Sequence, residues 1–104
     1  MAIHLVYSYY PKLNEAKKIA KSVLKNKLAA CVNINKNINS LYFWNNKFCD
    51  EKEIEISFKT YKNKVKKLVI FLEKNHPYEC PCVIAFTIKS SNKKFFNWIK
   101  SQTK

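Results

Sequence analysis

Residues 38–48 read INSLYFWNNKF, and the pair Asn45-Asn46 near the centre of this stretch constrains the chain more than any other feature. Asparagine tolerates positive φ, which a two-residue reversal between strands requires. On the near side, residues 28–44 are patterned for a strand: Val32 and Ile34 point one way, Cys31 and Asn33 the other. The polar run Asn35-Lys36-Asn37 interrupts them, as expected of a bulge or bend, and alternation resumes with Ser40, Tyr42 and Trp44 on one face. On the far side, residues 52–60 place Ile54, Ile56 and Phe58 inward and Glu53, Glu55 and Ser57 outward. Strands commonly run about 5–6 residues, so a hairpin of this reach predicts that its outer half is covered by neighbouring copies, in a threefold ring.

The flanking segments complete the plan. Residues 2–9 alternate Ile3, Leu5 and Tyr7 against His4, Val6 and Ser8, with both sides largely apolar; this predicts a central strand buried on both faces and ended by Pro11. Leu13, Ala16, Ile19, Ala20, Val23 and Leu24 then follow helical spacing, with lysines outside and Asn26 expected in the left-handed conformation at the end. Thr60 is expected to cap a second helix that carries Val65, Leu68, Val69 and Leu72 and stops at Asn75, before Pro77. VIAFTI, 83–88, reads as a buried strand, and Ser90-Ser91-Asn92 as the cap of a short last helix with Phe95, Trp98 and Ile99. The order β-α-β-β-α-β plus a helix predicts an α+β, ferredoxin-like sandwich, with residues 1–104 as one domain.

A formal charge of +13 raises the question of nucleic acid, but all twenty basic residues are lysines. Arginine, the side chain that forks onto guanine and phosphate, is absent. Glycine is absent too while asparagine occurs twelve times, a bias that follows A-rich codons and not a partner. The ferredoxin-like plan includes the common RNA-recognition module, yet the third strand, EIEISFKT, lacks its basic-Gly-aromatic pattern. No specific nucleic-acid partner is expected. The longest apolar runs, LVIFL and CVIAF, fall far short of the ~20 residues of a membrane span, and the N-terminal stretch lacks a basic n-region and a cleavage site. A cytoplasmic, non-membrane protein is expected, with its four cysteines as free thiols or metal ligands.

The richest chemistry lies in NHPYECPCVIAF, 75–86. His76, Glu79, Cys80 and Cys82 all bear metal-donor atoms, and Pro77 and Pro81 stiffen the backbone between them. Imidazole, carboxylate and thiolate together suit a borderline or soft ion, copper or zinc, over Mg²⁺ or Ca²⁺. Plain structural roles stand beside this: His76 near the last carbonyls of the second helix, Glu79 on turn amides, Cys31 as a small core residue. Tyr42 and Trp44 read as packing residues that also line a cleft if subunits assemble.

Taken in order, LAACVNI, SLYFW, FKT, HPYECPCVIAF and FFNWIKSQ resemble the CutA divalent-cation tolerance family over essentially the whole chain. The resemblance implies a cytoplasmic homotrimer of ferredoxin-like subunits, akin in architecture to PII signalling proteins, that binds copper and other divalent ions and catalyses no established reaction. The donor set of 75–86 points to a metal site drawing on His76, Glu79 and Cys82, with Cys31 or Cys80 as a further ligand, and the resemblance supports copper as its ion. The alternative it leaves is a PII-like sensor that takes a small anion in an inter-subunit cleft lined by Tyr42, Trp44, Tyr78 and Lys59. The chain departs from the family pattern at Asn37 and Asn46, where glycine is usual, and at Cys82, where the family's second glutamate stands.

Overall fold

The structure, a computed structural model, describes residues 3–104. Its elements are β1 (Ile3–Tyr10), α1 (Leu13–Lys25), β2 (Cys31–Trp44), β3 (Lys47–Tyr61), a 3₁₀ turn (Lys62–Lys64), α2 (Val65–Lys74), β4 (Val83–Ile88) and α3 (Lys93–Gln102). Four antiparallel strands form one sheet in the order β2-β3-β1-β4, with β1 central as the alternation predicts. Ala2, placed in the first strand by the sequence pattern, lies outside the described residues.

The sheet's two faces differ. Register pairs Val6 with Phe58, Ser8 with Ile56 and Tyr10 with Ile54, so the even-numbered residues share one face. There they meet Ala16, Ile19 and Val23 of α1 and Leu68 and Leu72 of α2, the helical positions that the 3.6-residue period groups together. On the opposite face Ile3 pairs with Tyr61, and the Tyr61 ring stands edge-on to Phe96 of α3, 5.8 Å away. α3 therefore caps the reverse of the sheet, with Ile99 buried beneath it. Along the rest of that face Leu5 and Tyr7 are only half-buried, so β1 is not enclosed on both sides within one chain.

The hairpin is the longest feature, with strands of 14 and 15 residues in a molecule measuring 45 × 26 × 22 Å. Asn45 and Asn46 have φ of 51° and 64°, the two left-handed residues of a tight reversal, and Trp44 pairs with Lys47 across it. The ladder shifts register between Asn35 and Ile38, which locates the expected bulge. Asn37 stands inside that bulge without positive φ, since the irregularity is absorbed over Asn35–Asn37 and the Asn37 N–H bonds the Asn35 side chain at 3.1 Å.

Several local expectations are corrected. The left-handed residue after α1 is Lys27, φ 57°, and not Asn26. Lys27 N–H reaches Leu24 and Leu28 N–H reaches Val23, both at 3.0 Å, the paired bonds of a Schellman ending. Asn26 stays at φ −88° and turns its side-chain amide onto the Ser22 carbonyl at 2.8 Å. Thr60 caps no helix: β3 runs on to Tyr61 against β1, and the buried Thr60 hydroxyl donates to the Leu28 carbonyl at 2.7 Å. Asn92 precedes α3 but makes no side-chain cap; its carbonyl accepts the Phe96 N–H. β4 was expected to be buried, yet it is an edge strand with Ile84 44% and Phe86 51% exposed. A continuous apolar run marks a strand covered on both faces, and in one chain only one face and one edge of β4 have neighbours.

Candidate functional site

The site grows out of the end of α2. Asn75 closes the helix by bonding the Phe71 carbonyl with both its backbone N–H and its side-chain amide, at 3.1 and 2.8 Å. The chain then folds back across β1 through His76. The His76 Nε2 lies 2.7 Å from the Tyr9 carbonyl, and the Tyr78 N–H points at His76 Nδ1 over 3.1 Å. A carbonyl only accepts and an amide N–H only donates, so the imidazole is neutral with its proton on Nε2. The ring stacks on Tyr10 with centroids 4.3 Å apart. Burial holds its pKa below the usual histidine value, against the opposing pull of the Tyr9 carbonyl and of Glu53 and Glu15. His76, expected among the metal ligands, has both nitrogens committed to holding this turn on the sheet.

Held there, Tyr78 reaches over β3, and its hydroxyl donates to Glu53 Oε2 at 2.6 Å. The alternation of β3 turns Glu53 away from the helices, yet with Tyr78 bonded to it Glu53 is only 9% exposed. Beside it the Tyr9 hydroxyl donates to Glu55 Oε2 at 2.9 Å, and burial, reinforced by that carboxylate, pushes the phenol up to about 12. Ser8 donates to the Cys82 carbonyl at 2.9 Å, pinning the other end of the turn just before β4.

Between this turn and the hairpin lies a cavity of about 530 Å³. Its carboxylates are Glu51, Glu53 and Glu79, its thiols Cys80 and Cys82. Its rings are Tyr9, Tyr42, Trp44 and Tyr78, and among the described residues Lys52 is its one amine. Burial raises the Cys82 thiol pKa, and the nearby Glu53 and Cys80 push the same way, so the thiol form is favoured until something positive arrives. The structure thus brings together six of the residues singled out in the sequence: Tyr42, Trp44, Tyr78, Glu79, Cys80 and Cys82.

Two others stand apart. Cys31 pairs with Lys59 at the far edge of the sheet, with β3 and β1 between it and β4, about 14 Å across at one strand per 4.8 Å. Its Sγ lies 3.7 Å from Asn33 Oδ1, and the same oxygen accepts the Lys59 amine at 2.6 Å. Lys59 is therefore not in the cavity wall. Among the described residues no three His, Cys, Asp or Glu side chains stand close enough to hold one metal ion. Tyr9, Glu51 and Glu53 escaped the sequence reading. They reach the cavity through strand register, which puts Tyr9 opposite Glu55 and Ile38 opposite Glu53.

Sheet order and helix placement define a ferredoxin-like protein, with a cleft lined by acids, thiols and aromatic rings. Residues 4–102 match the family model described as CutA1 divalent ion tolerance protein, and the chain belongs to that family. It is 37% identical over 100 residues to Protein CutA 1, chloroplastic, of Oryza sativa, covering 96% of this chain and 56% of that one. It is 34% identical over 96 residues to the divalent-cation tolerance protein CutA of Thermotoga maritima, covering 92% and 94%. The crystal structure of CutA1 from Oryza sativa superposes with a TM-score of 0.95 at 36% identity, covering 100% of this chain and 95% of that one. The chain spans about half the length of the plant and mammalian curated relatives it matches.

Proposed function

We propose that this protein is a cytoplasmic homotrimer that takes up a divalent or soft metal ion, copper or zinc, in the service of metal tolerance, and that it catalyses no reaction. The observation that carries the reading is that Glu79, Cys80 and Cys82 line one cavity together with Glu51 and Glu53, a donor set that has to draw closer before it holds an ion. Two thiolates and a carboxylate favour Cu(I) or Zn²⁺. Both cysteines belong to the stiff turn between Pro77 and β4, so little chain entropy is lost in bringing them onto an ion. All four cysteines are free thiols and so open to a soft ion.

Assembly is supported by what one chain leaves uncovered. Leu41, Phe43 and Phe48 at the far end of the hairpin are each more than 60% exposed, and β4 offers an open edge with Ile84 and Phe86 beside it. Apolar surface and an unpaired edge in the same molecule call for a partner of the same kind. The alternative of a PII-like sensor for a small anion loses ground: Lys59 is bound to Asn33, and the cavity carries three carboxylates against one lysine. The test is calorimetric titration of Zn²⁺ and Cu(I), under reducing conditions, into wild type, Cys80→Ser, Cys82→Ser and His76→Ala. Loss of tight binding in both cysteine variants and its retention in His76→Ala is the expected pattern. Unchanged binding in the Cys80→Ser/Cys82→Ser double variant refutes the site.

A further inference from the structure

The same cavity has a second set of features that the thiols do not use. Glu53 is 9% exposed, and its side-chain partner is the neutral phenol of Tyr78, not a lysine. A carboxylate withdrawn from water beside a neutral donor is left short of an opposite charge. Tyr42 and Trp44, on the same face of β2, present half-exposed rings to the cavity, and Tyr78 closes it from the other side. Ring faces attract cations through their quadrupole, tryptophan most strongly. At about 530 Å³ the space is far larger than a bare metal ion and falls in the range of organic-ligand sites.

We infer that this cavity is a receptor for a small organic ammonium ion, with Glu53 as its counter-charge and Tyr42, Trp44 and Tyr78 as its ring walls. The inference rests on the cation preference argued above for the same cavity, but on different atoms: the metal is assigned to Cys80, Cys82 and Glu79, the ammonium ion to Glu53, Tyr42, Trp44 and Tyr78. A cationic centre over the indole and phenol faces replaces water with polarised rings, and Glu53 balances its charge. An anion of the same size meets three carboxylates. A neutral isostere fills the space and forgoes both the charge pair and the cation–π attraction.

The probe is tetramethylammonium, compared with neopentyl alcohol as its neutral near-isostere and with inorganic phosphate, by calorimetry on the full chain in its native assembly. Trp44 fluorescence in a Trp98→Phe background gives an independent readout. Tetramethylammonium is expected to bind saturably and to perturb Trp44, the alcohol about tenfold more weakly or not at all. Glu53→Gln keeps an acceptor for the Tyr78 hydroxyl and is expected to lower ammonium affinity about tenfold; Trp44→Leu, with its assembly checked by sedimentation, is expected to do the same. Cys31→Ser, at the far edge of the sheet and outside the cavity wall, is expected to bind the ammonium ion as wild type does. Equal binding of the alcohol, absence of saturable ammonium binding, or wild-type ammonium affinity in a folded Glu53→Gln and in Trp44→Leu overturns the inference. Ammonium binding that fails while zinc binding persists sinks this inference alone; zinc binding that fails while the ammonium ion binds sinks the metal reading alone.

Discussion

Replacing His76 with alanine removes three interactions at once: the Nε2–H bond to the Tyr9 carbonyl, the acceptor for the Tyr78 N–H, and the stack on Tyr10. Each hydrogen bond contributes about 1 kcal/mol net and the stacked pair about as much again. The turn is half-buried, so water recovers part of the loss, and the expected destabilisation is about 2–3 kcal/mol. With an m-value near 1.5 kcal/mol/M, the urea midpoint falls by roughly 1.3–2 M at fixed protein concentration. The same residue sets a pH dependence. Burial lowers the folded pKa of His76 below its unfolded value, so the unfolded chain binds more protons around and below the ordinary histidine pKa. Stability is therefore fully present above that pH and is lost as the pH falls toward the lowered folded value. Urea unfolding at pH 7.5 and pH 5 is expected to show wild type weakening at the lower pH and His76→Gln losing that part of the slope, His4 being common to both proteins. A His76→Ala midpoint equal to wild type, or an unchanged pH slope in His76→Gln, refutes the latch.

Three further outcomes follow from the geometry. Asn46 sits at φ 64°, so Asn46→Val is expected to cost about 1–2 kcal/mol and Asn46→Gly to be neutral or stabilising, read by thermal unfolding at matched concentration. Sedimentation equilibrium at micromolar concentration is expected to give a trimer, and Phe86→Lys on the open edge strand to shift it toward monomer; a wild-type monomer disproves the assembly. Duplex DNA binding by the lysine-rich surface is expected to be weak, independent of sequence and gone near physiological salt, because counterion release is its only drive; sequence-specific binding at 200 mM salt contradicts this.

The amino-acid sequence by itself determined what depends on local geometry. Asn45-Asn46 marks the two-residue reversal, the apolar periods of Leu13–Leu24 and Val65–Leu72 define the two helices, and Asn35-Lys36-Asn37 marks the bulge; all appear where the pattern puts them. From that element order the ferredoxin-like plan follows. Tertiary structure decided what depends on partners distant in the chain. Thr60 has the side chain of a helix cap, but pairing of β3 with β1 holds it in the sheet, where its hydroxyl satisfies the Leu28 carbonyl. Glu53 alternates outward, and it is buried where Ile38 pairs with it across the ladder and Tyr78 folds back from 25 residues away to bond its carboxylate. His76 looks like a free donor until the Tyr9 carbonyl, 67 residues earlier, is seen to occupy its Nε2. Lys59 looks like an anion contact until strand register sets it beside Asn33. Periodicity reports which face a side chain leaves by. What it meets there depends on register and strand order, which close contacts between residues that no local pattern links.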